Sequence, residues 1–280
     1  MRTLLLTAGT RPELIKMIPV IEHLQRFNVN FTFIWTGQHY DYEMSKIFFE
    51  QLKIPEPDEN LNIKSGTHAQ QTARTMMRLE KIIRKYNPSI IVSLGDTNTV
   101  AATAITSVKC LIPFAHVEAG LRSWNMIMPE EINRKIADSI ANLHLAPTKL
   151  AALNLLFEGV SPNGLHVTGN TIVDVVYRYM DEAKQAGEKI IDEMNLDSGQ
   201  FILITVHRAE NTDNLERLKS ILIAIKTLAK DFRVVFSMHP RTKQRIINNK
   251  LTDNLDNIVV LPPLGYLDFL GLLMNCATVL

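Results

Sequence analysis

The feature that most constrains this chain is a repeated alternation of short, β-rich apolar runs with longer stretches of helical period. Runs at residues 3–7, 29–35, 89–94, 113–117 and 143–146 read as strands, with a weaker one at 165–168. Between the first two, Thr10-Arg11-Pro12-Glu13 reads as a capping box with proline in the first turn, and Leu14, Ile18, Ile21 and Gln25 mark successive turns of one helix. Segments 67–86, 97–109, 129–142 and 148–158 have the same helical character. Strands and helices that alternate in this way form βαβ units, which predicts an α/β protein built on mostly parallel sheets.

The pattern pauses at Gly169-Asn170-Thr171, continues through a polar helical stretch to about Gly199, and then restarts. Strands are predicted at 201–206, 233–238 and 258–261, and helices near 214–230, 242–250 and 266–274. This second series predicts a second βα domain, with a division into residues 1–170 and 171–280 and two sheets facing across a cleft. Ala277-Thr278-Val279-Leu280 reads as a buried strand with no loop or helix after it, so the second domain is expected to be incomplete and the chain truncated at its C-terminal end.

Composition narrows the function mainly by exclusion. A formal net charge of +1 gives no global attraction to nucleic acid or to a membrane surface. There is no run of about 18 apolar residues that could span a bilayer, and Arg11 and Glu13 follow Leu4-Leu5-Leu6 too closely for a signal-peptide core. The two cysteines, Cys110 and Cys276, lie far apart without C-x-x-C spacing, as in a chain from a reducing, cytoplasmic compartment. Neither a dinucleotide G-x-G-x-x-G nor a P-loop occurs, and H-E-x-x-H is absent. His116-Val117-Glu118 matches the H-x-E of zinc deaminases, but the partner P-C-x-x-C is lacking. Neither metal nor nicotinamide chemistry is therefore expected.

The polar residues placed at predicted strand ends are more informative. Gly9-Thr10-Arg11-Pro12-Glu13 opens a helix whose N–H groups, with Arg11 and Lys16, could hold an anion; simple helix capping explains the same residues. Asp96, in Gly95-Asp96-Thr97-Asn98-Thr99, stands at a sheet edge as a site residue, or else Asp96 or Thr97 caps the next helix. His116 and Glu118 close the next strand, either as part of a site or as a histidine paired with Glu118 in the core. Glu131, in Pro129-Glu130-Glu131-Ile132-Asn133-Arg134, suits the helix dipole without any further role. Convergence favours a site. Asp96, Glu118 and Glu131 are all expected on one edge of one sheet, where clustered carboxylates raise one another's pKa and provide an acid and a base near neutral pH. In the second half, His207-Arg208 and His239-Pro240-Arg241 follow strands; solvated loops would explain each, but two histidine/arginine pairs at equivalent strand ends favour a phosphate site.

These segments appear together, in order, with Gly169-Asn170-Thr171 and His207-Arg208-Ala209-Glu210-Asn211, and from Met1 to Leu280 the chain resembles the non-hydrolysing UDP-N-acetylglucosamine 2-epimerases. His239-Pro240-Arg241-Thr242 looks more like the archaeal-type members. The resemblance implies two Rossmann-like domains in a glycosyltransferase-B-like fold, with the active site in the interdomain cleft. It implies interconversion of UDP-GlcNAc and UDP-ManNAc through a 2-acetamidoglucal, with a UDP-sugar as partner, no external cofactor and a homodimeric state. By motif match Asp96, Glu118 and Glu131 form the acid/base set, and His207 assists UDP departure. Arg11 and Lys16 orient the sugar nucleotide, with Arg134 and His239 as further substrate contacts. Gln38-His39-Tyr40-Asp41 departs from the bacterial pattern at a neighbourhood tied to allostery there, so allostery is not expected. The family's D-S-G-G-x-x-E loop is missing from this sequence. Rival readings are a non-catalytic UDP-sugar-binding remnant, a hydrolysing relative releasing N-acetylmannosamine and UDP, and a glycosyltransferase on the same fold.

Overall fold

The computed structural model describes residues 3–37, 49, 52 and 54–280, with residues 209 and 210 described for their backbone alone; Gln38, His39, Tyr40 and Asp41 lie outside the described residues. The chain divides into two compact units, Met1–Val175 and Val176–Leu280.

The first unit is built on a seven-stranded sheet. Its strands are β1 (Leu4–Ala8), β2 (Phe31–Trp35), β3 (Glu59–Asn60), β4 (Ile90–Leu94), β5 (Phe114–Val117), β6 (Leu143–Ala146) and β7 (Leu165–Val167). They lie in the order β3-β2-β1-β4-β5-β6-β7, and every neighbouring pair is parallel. This doubly wound order follows from the sequence pattern, because parallel neighbours need a crossover, and here helices supply most of them. Leu5, Leu6, Ile91, Leu94 and Phe114 are fully buried in the central strands. Removing such a side chain from water is worth about 1.5–3 kcal/mol. Buried hydroxyls in and beside these strands pair with one another. The Thr7 hydroxyl donates to Ser93 Oγ at 2.9 Å on the neighbouring strand, and the Thr36 and Thr99 hydroxyls lie 2.8 Å apart.

Strand order reverses between β1 and β4, since the chain moves outward from β1 through β2 and β3 and then returns to the other side of β1. At such a switch point the loops leaving the two strands diverge and open a crevice. The loops in question are those carrying Gly9 to Arg11 and Gly95-Asp96. The short strand β3 was not apparent from the sequence, because Glu59 and Asn60 carry no apolar alternation; backbone pairing to Ile34 and Trp35 defines it.

The second unit holds four parallel strands in the order β10-β9-β8-β11, where β8 is Phe201–Ile204, β9 is Arg233–Ser237, β10 is Ile258–Leu261 and β11 is Thr278–Val279. The polar stretch before it forms two helices, Thr171–Arg178 and Met180–Glu193. The expectation of a buried strand at 277–280 is corrected here. Strand β11 pairs only with β8, at the edge of the sheet, and Val279 and Leu280 are exposed. Among the described residues no helix is long and apolar enough to cross a membrane.

One helix pair in this unit depends on glycine. Helices Met180–Glu193 and Tyr266–Asn275 approach so closely at Gly187 and Gly271 that a Cβ added to Gly271 would sit 2.1 Å from Ala183 O and 2.6 Å from Gly187 N. The obstacle is backbone, so no rotamer change can relieve it. Alanine in a helix interior normally stabilises by about 1 kcal/mol relative to glycine. Here Gly271→Ala is expected to destabilise by about 1–3 kcal/mol, as overpacking does. Thermal unfolding followed by circular dichroism checks this, and a midpoint equal to or above that of the parent chain would refute the close contact.

Candidate active site

The crevice edge of the first sheet brings three loops and one helix start together. Helix Arg11–Arg26 begins directly after β1, and its first turn folds Glu13 back beneath the loop. Glu13 Oε2 accepts the N–H groups of Gly9 at 2.7 Å and Thr10 at 3.0 Å, and its Oε1 accepts the Thr97 hydroxyl at 2.5 Å. The β1 and β4 loops are therefore joined through one buried carboxyl. Burial lifts Glu13 to about 7, against the opposing effect of those three donors, and the nearby Asp96 adds to the rise. Because the Thr97 hydroxyl is committed to Glu13, it does not cap helix Asn98–Lys109, and Asp96 does not cap it either. Asp96 is thereby left to the crevice.

Asp96 Oδ2 accepts a hydrogen bond from Arg134 Nη1 at 3.0 Å, and Arg134 Nη2 lies 3.1 Å from Glu131 Oε2, so one guanidinium holds two carboxylates. Asn133, beside it on helix Pro129–Ile140, donates to the Asp96 carbonyl at 2.9 Å and fixes the loop from behind. Burial raises the Asp96 carboxyl above its ordinary range; Arg134 and Lys16 oppose the rise, and Glu130 and Glu118 add to it. Glu131 is fully buried yet behaves oppositely. Burial pushes it upward, but the Ser123 N–H and hydroxyl, the Trp124 N–H and Arg134 outweigh that and hold it below the usual carboxylate range. This corrects the expectation that the clustered carboxylates would all be raised. Hydrogen bonds to the charged form decide the matter for Glu131, and desolvation decides it for Asp96.

Glu118 follows β5 in a left-handed conformation, φ 69°, which a non-glycine residue adopts only when its surroundings enforce it. Its Oε2 is 2.9 Å from Lys16 Nζ, while Oε1 is buried without a hydrogen-bond partner among the described residues. Lys16 is thus committed to a carboxylate, whereas the sequence alone left it open to an anion. Arg11 is half-buried at the start of the same helix.

His116 does not pair with Glu118, which corrects the core alternative above: His116 lies within β5, whereas Glu118 lies past its end at φ 69° and turns to Lys16. Its Nδ1 lies 2.6 Å from Asp138 Oδ1 and its Nε2 2.7 Å from the Gly95 carbonyl. Asp138 Oδ2 in turn accepts the Gly120 N–H at 3.0 Å and is 2.7 Å from Arg122 Nη1. Gly120 is needed as glycine, having φ 83° and room for no Cβ within 2.2 Å of Ala151 O. Burial opposes the charge on His116, but Asp138 outweighs it and raises the imidazole. Asp138 is held below its ordinary range by His116 and Arg122 against its own burial.

In the second unit, His207 follows β8 and His239 follows β9, with ring centroids 6.5 Å apart and both residues exposed. His239 Nδ1 accepts the Arg241 N–H at 3.2 Å and caps helix Pro240–Asn248, so it has a structural task besides any contact with substrate. Burial, His207 and Arg241 lower its pKa. Among the described residues no cluster of three His, Cys, Asp or Glu side chains is placed to hold a metal ion.

Sequence reasoning missed Glu13 as a loop clasp and Asp138 altogether. A signal for Asp138 was available: it lies seven residues after Glu131, on the same face of one helix.

Residues 22–280 match the family model described as UDP-N-acetylglucosamine 2-epimerase. A UDP-N-acetylglucosamine 2-epimerase of Methanocaldococcus jannaschii is 45% identical over 279 residues, spanning 97% of this chain and 76% of that relative. A UDP-2,3-diacetamido-2,3-dideoxy-D-glucuronate 2-epimerase of Pseudomonas aeruginosa is 40% identical over 275 residues, spanning 97% of this chain and 75% of its own length. The crystal structure of the Methanocaldococcus jannaschii UDP-GlcNAc 2-epimerase with UDP-GlcNAc and UDP matches 100% of this chain and 78% of its own at TM-score 0.87 and 43% identity. The α/β fold is accordingly of the glycosyltransferase-B-like class. With the family model covering most of its length, the chain belongs to the UDP-N-acetylglucosamine 2-epimerase family of isomerases.

Proposed function

We propose that this protein interconverts UDP-GlcNAc and UDP-ManNAc by eliminating UDP to a 2-acetamidoglucal and adding it back after the proton returns to the other face of C2. The observation that carries this reading is the joining of Asp96 and Glu131 by Arg134, with the two carboxyls displaced in opposite directions from their ordinary pKa. The hydrogen on C2 has no adjacent carbonyl and is not acidic in the ground state. Cleavage of the C1–O bond must lead, leaving oxocarbenium-like charge on the ring, and only then can a base remove the proton. Glu131, held ionised, suits stabilisation of that charge. Asp96, with a raised proton affinity, suits proton transfer at C2. Glu118 supplies a buried acceptor beside them, oriented by Lys16. His207 assists the departing UDP, and Arg11, Lys16, Arg134 and His239 act in binding or orienting the sugar nucleotide. A preorganised charge of this sort is worth about 3 kcal/mol in a transition state.

The Pseudomonas aeruginosa relative supports a second reading, in which the same exchange at C2 acts on a UDP-2,3-diacetamido-2,3-dideoxy-D-glucuronate. Both substrates belong in the first assay, together with analysis for free N-acetylmannosamine.

Incubation with UDP-GlcNAc in D₂O, read by proton NMR, is expected to show deuterium at C2 as UDP-ManNAc appears. Asp96→Asn is expected to slow that exchange by about 10²–10⁴-fold, the usual contribution of a general acid or base, without changing the unfolding midpoint. A folded variant with near-parental exchange would remove Asp96 from the mechanism.

The pH dependence follows from the same geometry. A base must be ionised, so the rate is present above the pKa of Asp96 and is lost as pH falls through it. Arg134 lowers that pKa, so its removal lets the pKa rise further. Arg134→Gln is expected to move the acid limb of kcat against pH to higher pH. A limb that stays in place or moves lower would break the link between Arg134 and the proton-transferring group.

A further inference from the structure

We propose that Asp138 is a positioning residue, which acts through a permanently protonated His116 to hold the two strand-end loops that present Asp96 and Glu118. This rests on the acid/base reading above and adds to it a pair of residues that never touch the substrate.

The protonation state follows from hydrogen-bond bookkeeping. The Gly95 carbonyl can only accept, so His116 Nε2, 2.7 Å away, carries a proton. Asp138 Oδ2 takes the Gly120 N–H and faces the Arg122 guanidinium, which hold the carboxyl ionised and acceptor-only, so His116 Nδ1, 2.6 Å from Oδ1, carries a proton as well. An imidazole with both nitrogens protonated is a cation, here sealed in the sheet at 0% exposure beside a carboxylate at 1%. Such a pair is costly to leave half-made, because losing one partner strands an uncompensated charge in the interior.

The placement of the pair suggests what that cost secures. Through His116, Asp138 ties down the Gly95 carbonyl, whose residue immediately precedes Asp96. Through its other oxygen it ties down the Gly120 N–H, two residues beyond Glu118. Glu118 at φ 69° and Gly120 at φ 83° make two left-handed residues within three positions. A loop of that shape persists where its surroundings hold it in place. Arg122 completes the anchorage, bridging Asp138 and Glu158. One buried carboxylate therefore sets the spacing between two of the three proposed acid/base groups.

Two substitutions separate positioning from bulk stability. In Asp138→Asn the amide oxygen can still accept from Gly120 and Arg122, while the amide N–H can donate to a neutral His116 Nδ1. The Nε2–H bond to Gly95 then survives, and the loops stay tied without the charges. Asp138→Ala cuts both ties. In the parent chain, ¹⁵N NMR is expected to show both His116 ring nitrogens protonated at pH 7, and in Asp138→Asn only Nε2. The amide resonances of Gly95, Asp96, Glu118 and Gly120 are expected to shift together in Asp138→Ala and to return toward the parent positions in Asp138→Asn. For UDP-GlcNAc in D₂O, Asp138→Ala is expected to lose about 10²-fold in kcat, the scale of a 1 Å misplacement, with KM within about threefold, and Asp138→Asn to recover most of that loss. If Asp138→Ala does not fold, His116→Phe replaces it, since the ring already stacks on Phe114 and this change cuts only the Gly95 tie. A neutral His116 in the parent chain, or unmoved loop resonances in a folded Asp138→Ala or His116→Phe, overturns the proposal. So does a kcat equal in the Ala and Asn variants. The NMR readouts need no substrate, so a parent chain without C2 exchange would count against the acid/base reading while leaving the positioning proposal to be decided on its own.

Discussion

Everything in the first unit depends on one topological constraint, the reversal of strand order between β1 and β4. In a parallel sheet every strand ends at the same edge, and only at a reversal do adjacent loops part rather than pack. Here the reversal puts Gly9 to Arg11 on one side and Gly95-Asp96 on the other. Glu118, following β5, is one strand further along the same edge, and helix Pro129–Ile140 brings Glu131 and Arg134 up to it. No local propensity could assemble these residues. They are separated by tens of positions and meet because hydrophobic strands such as LLLTA and IIVSL pair in register, with Thr7 opposite Ser93.

Placing so much charge at a sheet edge is a liability, and the structure manages it by giving buried carboxylates several donors each. Glu13 takes three, Glu131 takes Ser123 and Trp124 with Arg134 as counter-ion, and Asp138 takes His116 and Gly120 with Arg122 as counter-ion. Each of these groups joins segments that the backbone alone would leave independent. Asp96, more exposed than any of them at 37%, has Arg134 as its main counter-ion, and desolvation wins. Donor count alone does not set the outcome: Glu13 has three donors and is still lifted to about 7 by burial, whereas Glu131 and Asp138, each with an arginine beside its donors, are held below their ordinary range.

Much of this was legible in the sequence, for a physical reason. The strand runs and helix starts are set by short-range rules, so β6 and β10 fall where apolar patterning places them, and most other strands lie within a residue or two. Asp96 and Glu118 were legible because a charged residue just after an apolar strand projects from the sheet edge, and Glu131 because it opens the helix that follows that edge. What the sequence could not reveal is partnership. Lys16 reads as an anion contact until the fold sets it 2.9 Å from Glu118, and Thr97 reads as a helix cap until Glu13 claims its hydroxyl. Asp138 sits near the end of helix Pro129–Ile140; its spacing from Glu131 hinted at an inward face, but its partners His116, Gly120 and Arg122 come only from the tertiary fold, which buries it to 1% exposure. At β11 the apolar residues suggested burial, but a strand paired on one side only leaves them exposed.

The proposed elimination and readdition would make a demand that a single acid or base cannot meet. One group must stay charged while positive charge develops on the sugar ring, and another must take a proton from C2 and give one back. Two carboxylates of equal affinity in one crevice would share a proton and serve neither role well. The first unit breaks that equality structurally. Ser123 and Trp124 donate to Glu131 from a loop that ends in its own helix start, so the lowered pKa of Glu131 is built into the same turn that positions it. Among the described residues Asp96 has no such backbone cradle for its carboxylate; its carbonyl is held by Asn133 while its side chain accepts from Arg134. Arg134 then serves both, lying one helical turn from Glu131 and reaching across to Asp96. The asymmetry comes from placing one carboxylate inside a helix N-terminal turn and the other on a strand-end loop. Any rearrangement that gave both the same donors would abolish the division of roles even with every residue still present.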